Sequence, residues 1–271
     1  MTSTATLRTP APDELLGNVV DVLHATGAVL TERFRTRNGL RTRAEVVAAI
    51  EAGDAEALQV LRPRLQALRP AAGWLADELA DGPLPAGEWW VVDPVEGAIN
   101  RVHGLARWGV TATLVQDNVP VLTAVHLPPA GTTYTAVAGG GAHRDGVRLQ
   151  VSAKVELAGA LVGTGQASPR ETAETFALIG RSLPAMMAAS GVTEVSVPPT
   201  LQLLAVAAGQ ADVFWQHSAV RSGLVAGALL VQEAGGVLTD LRGAPWTGGS
   251  PDFLAAAPGV HAEAVAVLSA R

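Results

Sequence analysis

The 271-residue chain has no cysteine, so disulfide frameworks, thiolate zinc sites and cysteine nucleophiles are excluded. Any metal must be held by carboxylates, histidines or carbonyls. Charge is sparse as well: 16% of residues are Asp, Glu, Lys or Arg, and Lys154 is the single lysine among 19 basic residues. With a formal charge of −6 and a pI near 5.5, the chain lacks the alkaline balance of a nucleic-acid-binding domain, and its arginine-rich stretch from Arg35 to Arg43 reads as a loop. No unbroken run of about 18 apolar residues occurs, which argues against a spanning helix. The first dozen residues lack the apolar stretch of a secretory leader. A cytoplasmic protein with no nucleic-acid or membrane partner is therefore expected. What the chain does hold is apolar residue, 48% of the total, enough to bury a large core and to exclude disorder as the main state.

Apolar positions Leu16, Val19, Val20, Leu23, Val29 and Leu30 recur at helical spacing and predict a helix over 13–35. A second helical pattern runs from Val46 to Pro63, with Gly53 and Asp54 read as an irregularity within it. After a Pro- and Gly-rich link comes Trp89-Trp90-Val91-Val92, a buried strand ending at Asp93-Pro94. Runs at 109–116, 121–127 and 133–138, separated by turns such as Asp117-Asn118, predict an antiparallel meander. Asp145-Gly146 leads to a strand over 147–152, and 157–163 reads as another. The remainder alternates: helices at 170–182, 201–208, 223–233 and from 261, with strands at 211–215 and 236–239. The Gly139–Gly141 run lacks the lysine and helix context of a phosphate-binding P-loop. One domain spanning 1–271 is expected, with an N-terminal half over about 13–155 and a C-terminal α/β half over about 156–271.

Carboxylates gather at turns and strand ends: Asp54, Asp77, Glu78, Asp93 and Glu96. Oxygen donors of this kind suit a hard cation such as magnesium. In Asp93-Pro94-Val95-Glu96-Gly97 the proline stiffens the chain as it leaves the strand, so two acids and the Val95 carbonyl converge. Gly97 lets a helix start close by, its N–H groups turned toward an anion. A cation beside an anion site is chemistry for phosphate esters.

The segment DPVEGAINRVH resembles the first signature of the inositol monophosphatase family, D-P-I-D-G-T followed by N-F. AVHLPPAGTTYTAVAGGGAHRDGVRLQVS and LLVQEAGGVLTDLRGAPW are similar to further family segments in the same order, over roughly 13–265. The resemblance implies a layered α/β/α/β/α sandwich, a homodimer, and magnesium-dependent hydrolysis of small phosphate monoesters. It places Glu78, Asp93 and Glu96, with the Val95 carbonyl, on a metal, and Asp54 where the family orients water.

The departures from the pattern are equally specific. The family aspartate that anchors a second magnesium falls on Gly223, and the threonine that holds the attacking water falls on Ala98. The acid that contacts the polyol falls on Gln216 and the phenylalanine after asparagine on Arg101, while Arg221 sits two residues from the lost aspartate. These replacements place Gly97, Ala98, Asn100, Arg101, Gln216, His217 and Arg221 around a substrate anion, with His103 a candidate for proton transfer. They imply one Mg2+ at most, or metal-free function. Non-hydrolytic chemistry such as cyclisation, elimination or isomerisation, in a specialised biosynthetic route, is the first expectation. A magnesium-dependent phosphatase is the alternative, and an inactive binding homologue the third.

Overall fold

The computed structural model describes residues 11–34, 39–75, 82–166, 171–218 and 222–270. Helices α1 (Pro12–Glu32) and α2 (Arg43–Leu68) form an outer layer. They cover one face of a seven-stranded sheet in the order β1 to β7. Its strands are Gly73–Trp74, Glu88–Glu96, Gly109–Gln116, Val119–Leu127, Thr132–Val137, Gly141–Arg144 and Val147–Arg148. The short helix α3 (Ala98–Val102) follows β2 directly. From β2 onward each strand pairs antiparallel with the next, the expected meander.

Two central helices, α5 (Pro199–Ala207) and α6 (Ser222–Glu233), separate this sheet from a second. The second sheet runs β11-β12-β10-β8-β9, built from Val237–Thr239, Phe253–Ala256, Val213–Gln216, Leu161–Thr164 and Val192–Val195. Helices α4 (Ala173–Ala189) and α7 (Pro258–Ser269) close the far side. The layers alternate α/β/α/β/α, as the resemblance implied. Apolar cores fill the gaps, the larger ones around Leu23, Leu61, Trp90 and Trp108, around Leu203, Phe214 and Leu230, and around Trp215, Leu254 and Val260, with a small cluster of Leu84, Val91, Val115 and Val225.

Several local expectations need correction. α2 does not end at Pro63 but continues to Leu68. Nor is Gly53 an irregularity: it lies buried inside the helix, where a Cβ would come within 3.2 Å of Arg101 Nη1. The strand expected over 147–152 is only Val147–Arg148, and 157–159 is a 3-10 turn ahead of β8. Strands β9 and β12 carry no periodicity that the sequence reading detected.

One buried acid ties the second sheet to its surroundings. The Asp212 carboxylate accepts the Ser152 hydroxyl, Lys154 Nζ at 2.8 Å and Leu161 N–H at 2.7 Å. Its own carbonyl accepts from Ala257 N–H. The residue is 0% exposed.

Candidate active site

The site grows from the end of β2. Pairing with β3 slips by one residue between Asp93 and Glu96, a bulge at the point where Pro94 has no N–H to give the ladder. Asp93 N–H donates to Thr111 Oγ1 (3.1 Å), and Asp93 Oδ1 accepts from Val95 N–H (3.0 Å), so the carboxylate is oriented by its own turn. Asp93 is half-buried, whereas Glu96 is 2% exposed. Gly97 follows with φ of +80°, and a Cβ there would sit 2.7 Å from the Arg107 carbonyl, so glycine is required. Ala98 opens α3 and is half-buried.

The other expected site residues are distributed differently from the sequence reading. Glu78 and Arg221 lie outside the described residues. Asp54 is half-buried on α2, close enough for its charge to support the Arg101 guanidinium. Asn100 is a strut: its Nδ2 donates to the carbonyls of Arg107 and Val197, both at 2.8 Å. Arg101 was expected to face the anion, but it is 9% exposed and turned into the corner between α1 and α2. There its Nη2 donates to Leu30 O (2.9 Å), a carbonyl in the last turn of α1, and its guanidinium lies 5.5 Å from the Trp108 ring centroid. Since that turn of α1 has no basic residue of its own, Arg101 supplies the cation its dipole favours. Burial pulls Arg101 below its ordinary value, with Glu56 and Asp54 opposing the shift.

His103 caps α3 and is exposed. His217 turns away from Gln216 toward α4, where its Nε2 meets Ser182 Oγ at 2.8 Å. Gln216 is 1% exposed and its Nε2 donates to Ser218 O. Gly223 lies in the first turn of α6, and its carbonyl accepts the Thr200 hydroxyl at 3.0 Å. Sequence reasoning missed Pro198 and Pro199, which pack on Gly97 and Gly223 respectively. The paired prolines ahead of an apolar helix were the available signal.

A metal was expected here. The bulged end of β2 carries the carboxylates of Asp93 and Glu96, oxygen donors of the kind that fit a hard cation. No cluster of three potential ligand side chains forms among the described residues.

Burial holds His126, His217 and His261 below the ordinary imidazole value, and the first two, the most shifted, are expected to make stability pH-dependent. Burial, then the neighbouring His24, pushes His126 down to about 4, against the opposing pull of Asp145. His217 is likewise held at about 4, by burial and then by Arg181. Both bind protons more weakly folded than unfolded, so their contribution is full above about pH 6.5 and lost as pH falls toward 4. Each adds a slope of up to ~1.4 kcal/mol per pH unit within that window. Urea midpoints at pH 7 and pH 5 should therefore differ clearly, with much of the difference removed in a His126→Gln, His217→Gln variant.

Residues 12–270 match the model of the inositol monophosphatase family. An inositol-1-monophosphatase of Mycobacterium leprae is 35% identical over 227 residues, covering 79% of this chain and 76% of its own. The inositol-1-monophosphatase of Rhizobium meliloti is 30% identical over 244 residues and covers 89% of each chain. The solved IMPase of Thermotoga maritima, 24% identical, has a TM-score of 0.76 and covers 95% of this chain and 97% of its own. With a family signature at the end of β2, the same fold, and similarity along nearly its whole length, this chain belongs to the inositol monophosphatase family.

Proposed function

We propose that the protein is a magnesium-dependent phosphomonoester hydrolase acting on a small phosphorylated metabolite. The observation that carries this reading is the retained Asp93–Glu96 turn within a chain whose matched relatives include proteins named inositol-1-monophosphatase. Asp93, Glu96 and the Val95 carbonyl, joined by Glu78, would hold the ion. Bound there, Mg2+ lowers the pKa of a coordinated water and offsets charge on the phosphate oxygens. Asp54 orients the water in this reading. Asn100 keeps Gly97 and Ala98 in register by fixing α3 to Val197 O and Arg107 O.

The non-hydrolytic expectation loses one of its supports. It relied on the missing acid at Gly223 and on Arg101, Arg221 and Gln216 replacing the family's hydrolytic groups, and of these Arg101 is turned away. That guanidinium is engaged with Leu30 O and Trp108 instead. Gly223 and Ala98 remain as departures, and we interpret them as reducing the hold on a second ion and on the attacking water.

The test is phosphate release from a panel of small phosphomonoesters, starting with inositol 1-phosphate. Turnover is expected with Mg2+, loss with EDTA, and at least a ~10²-fold fall in Glu78→Ala. Tight binding of phosphomonoesters without release would identify an inactive binding homologue instead.

A further inference from the structure

Pro198 and Pro199 fill the seam between the signature turn and α6. A Cβ on Gly97 would lie 3.0 Å from Pro198 Cδ, and one on Gly223 would lie 3.0 Å from Pro199 Cγ. The two rings therefore touch both the turn that carries Glu96 and the helix start where the family keeps an acid. Pro198 is buried and Pro199 half-buried.

Several polar groups in and beside this wall are already engaged. Ser196 N–H donates to Thr164 O, and Ser196 O accepts from Gln202 Nε2. The Ser196 hydroxyl accepts from Arg107 Nη2 at 3.0 Å. Val197 O accepts from Asn100 Nδ2, and the Thr200 hydroxyl donates to Gly223 O. A helix start normally offers free N–H groups. α5 begins with Pro198 as its N-cap and Pro199 as its first residue, and neither has an N–H.

Resting on the hydrolase reading, we infer that the Val197–Pro199 wall selects phosphate monoesters whose alcohol is poor in hydroxyls and presents an apolar face. A polyol turned to this wall meets ring methylenes where its hydroxyls need partners. Apolar pockets discriminate against an added hydroxyl by roughly 10²-fold at most, so a preference of about 10-fold or more is expected.

Cyclohexyl phosphate and inositol 1-phosphate share a six-membered ring and differ in its hydroxyls, which makes them the matched pair. Phosphate release and calorimetric binding are measured on the same full-length protein with Mg2+. The expected result is a kcat/KM at least ~10-fold higher, and tighter binding, for cyclohexyl phosphate. In Pro199→Ala, which returns one N–H to the start of α5, the ratio should shift toward inositol 1-phosphate by several-fold. Equal or reversed preference in the wild type overturns the inference and leaves the hydrolase reading standing. Tighter binding of cyclohexyl phosphate without release from either ester supports the wall and overturns the hydrolase reading. A folded Pro199→Ala with an unchanged ratio removes the assignment to this wall, and absence of binding to both esters overturns both readings.

Discussion

Replacing Asp212 by alanine is expected to lower the unfolding free energy by about 3–5 kcal/mol, among the largest effects of any single change in this chain. The loss divides unequally. Leu161 N–H and the Ser152 hydroxyl would lose their buried acceptor, each at a cost of about 1–3 kcal/mol. The ion pair is the smaller share, because the Lys154 side chain is 44% exposed and its charge is screened by water. Lys154→Met should cost about 1–3 kcal/mol, since it leaves the buried Asp212 carboxylate without its cation but keeps the Ser152 and Leu161 donors. Asp212→Asn should fall between, since an amide oxygen can still accept from Leu161. Denaturant unfolding of the three variants checks the order, and the alanine variant should melt about 10 °C below the parent. A loss below 1 kcal/mol for Asp212→Ala would show that β8 and the segment before it hold without this acid.

The second large effect is catalytic. On the proposed reading, Asp93→Asn and Glu96→Gln each lower phosphate release by about 10²-fold or more, because an amide oxygen is a weaker, uncharged donor to a hard cation. Both replacements keep shape. Glu96 is 2% exposed, so unfolding is measured alongside activity. A loss of phosphate release in Glu96→Gln far larger than its loss of stability is what a merely structural acid would not produce. The higher Mg2+ concentration needed for half-maximal rate gives an independent readout. Wild-type turnover in both variants would remove the β2 turn from the chemistry.

Much of the architecture was legible because the meander obeys simple rules. Strand-like runs between turn residues marked β3 to β5, and Asp117-Asn118 and Asp145-Gly146 take the positive φ values that tight hairpins demand. Strand β12 was missed because Phe253–Ala256 is four apolar residues buried throughout, without alternation to separate it from a helix fragment. β9 was missed for the opposite reason: as the edge strand of its sheet it leaves Val192 and Val195 exposed. The Pro63 boundary failed where tertiary packing of Leu61 and Leu65 carried α2 past a residue that usually stops a helix.

At the site, the motif identified the acids but could not aim side chains. Arg101 Nη2 is bound by Leu30 O, 71 positions away in sequence, and no local spacing encodes that. His217 follows the alternation of β10: Trp215 faces the outer core with α4, and His217 shares its side. Strand parity alone would have turned it from Gln216. Pro198 and Pro199 became meaningful only once the fold brought them against Gly97 and Gly223.

Because Lys154 is the chain's one lysine, an amine-acylating reagent has a single side-chain target, and that target is held by the Asp212 carboxylate. The rate of its labelling follows how often the contact opens, so the chain carries its own gauge of breathing at the start of β8, readable by mass without introducing a foreign probe.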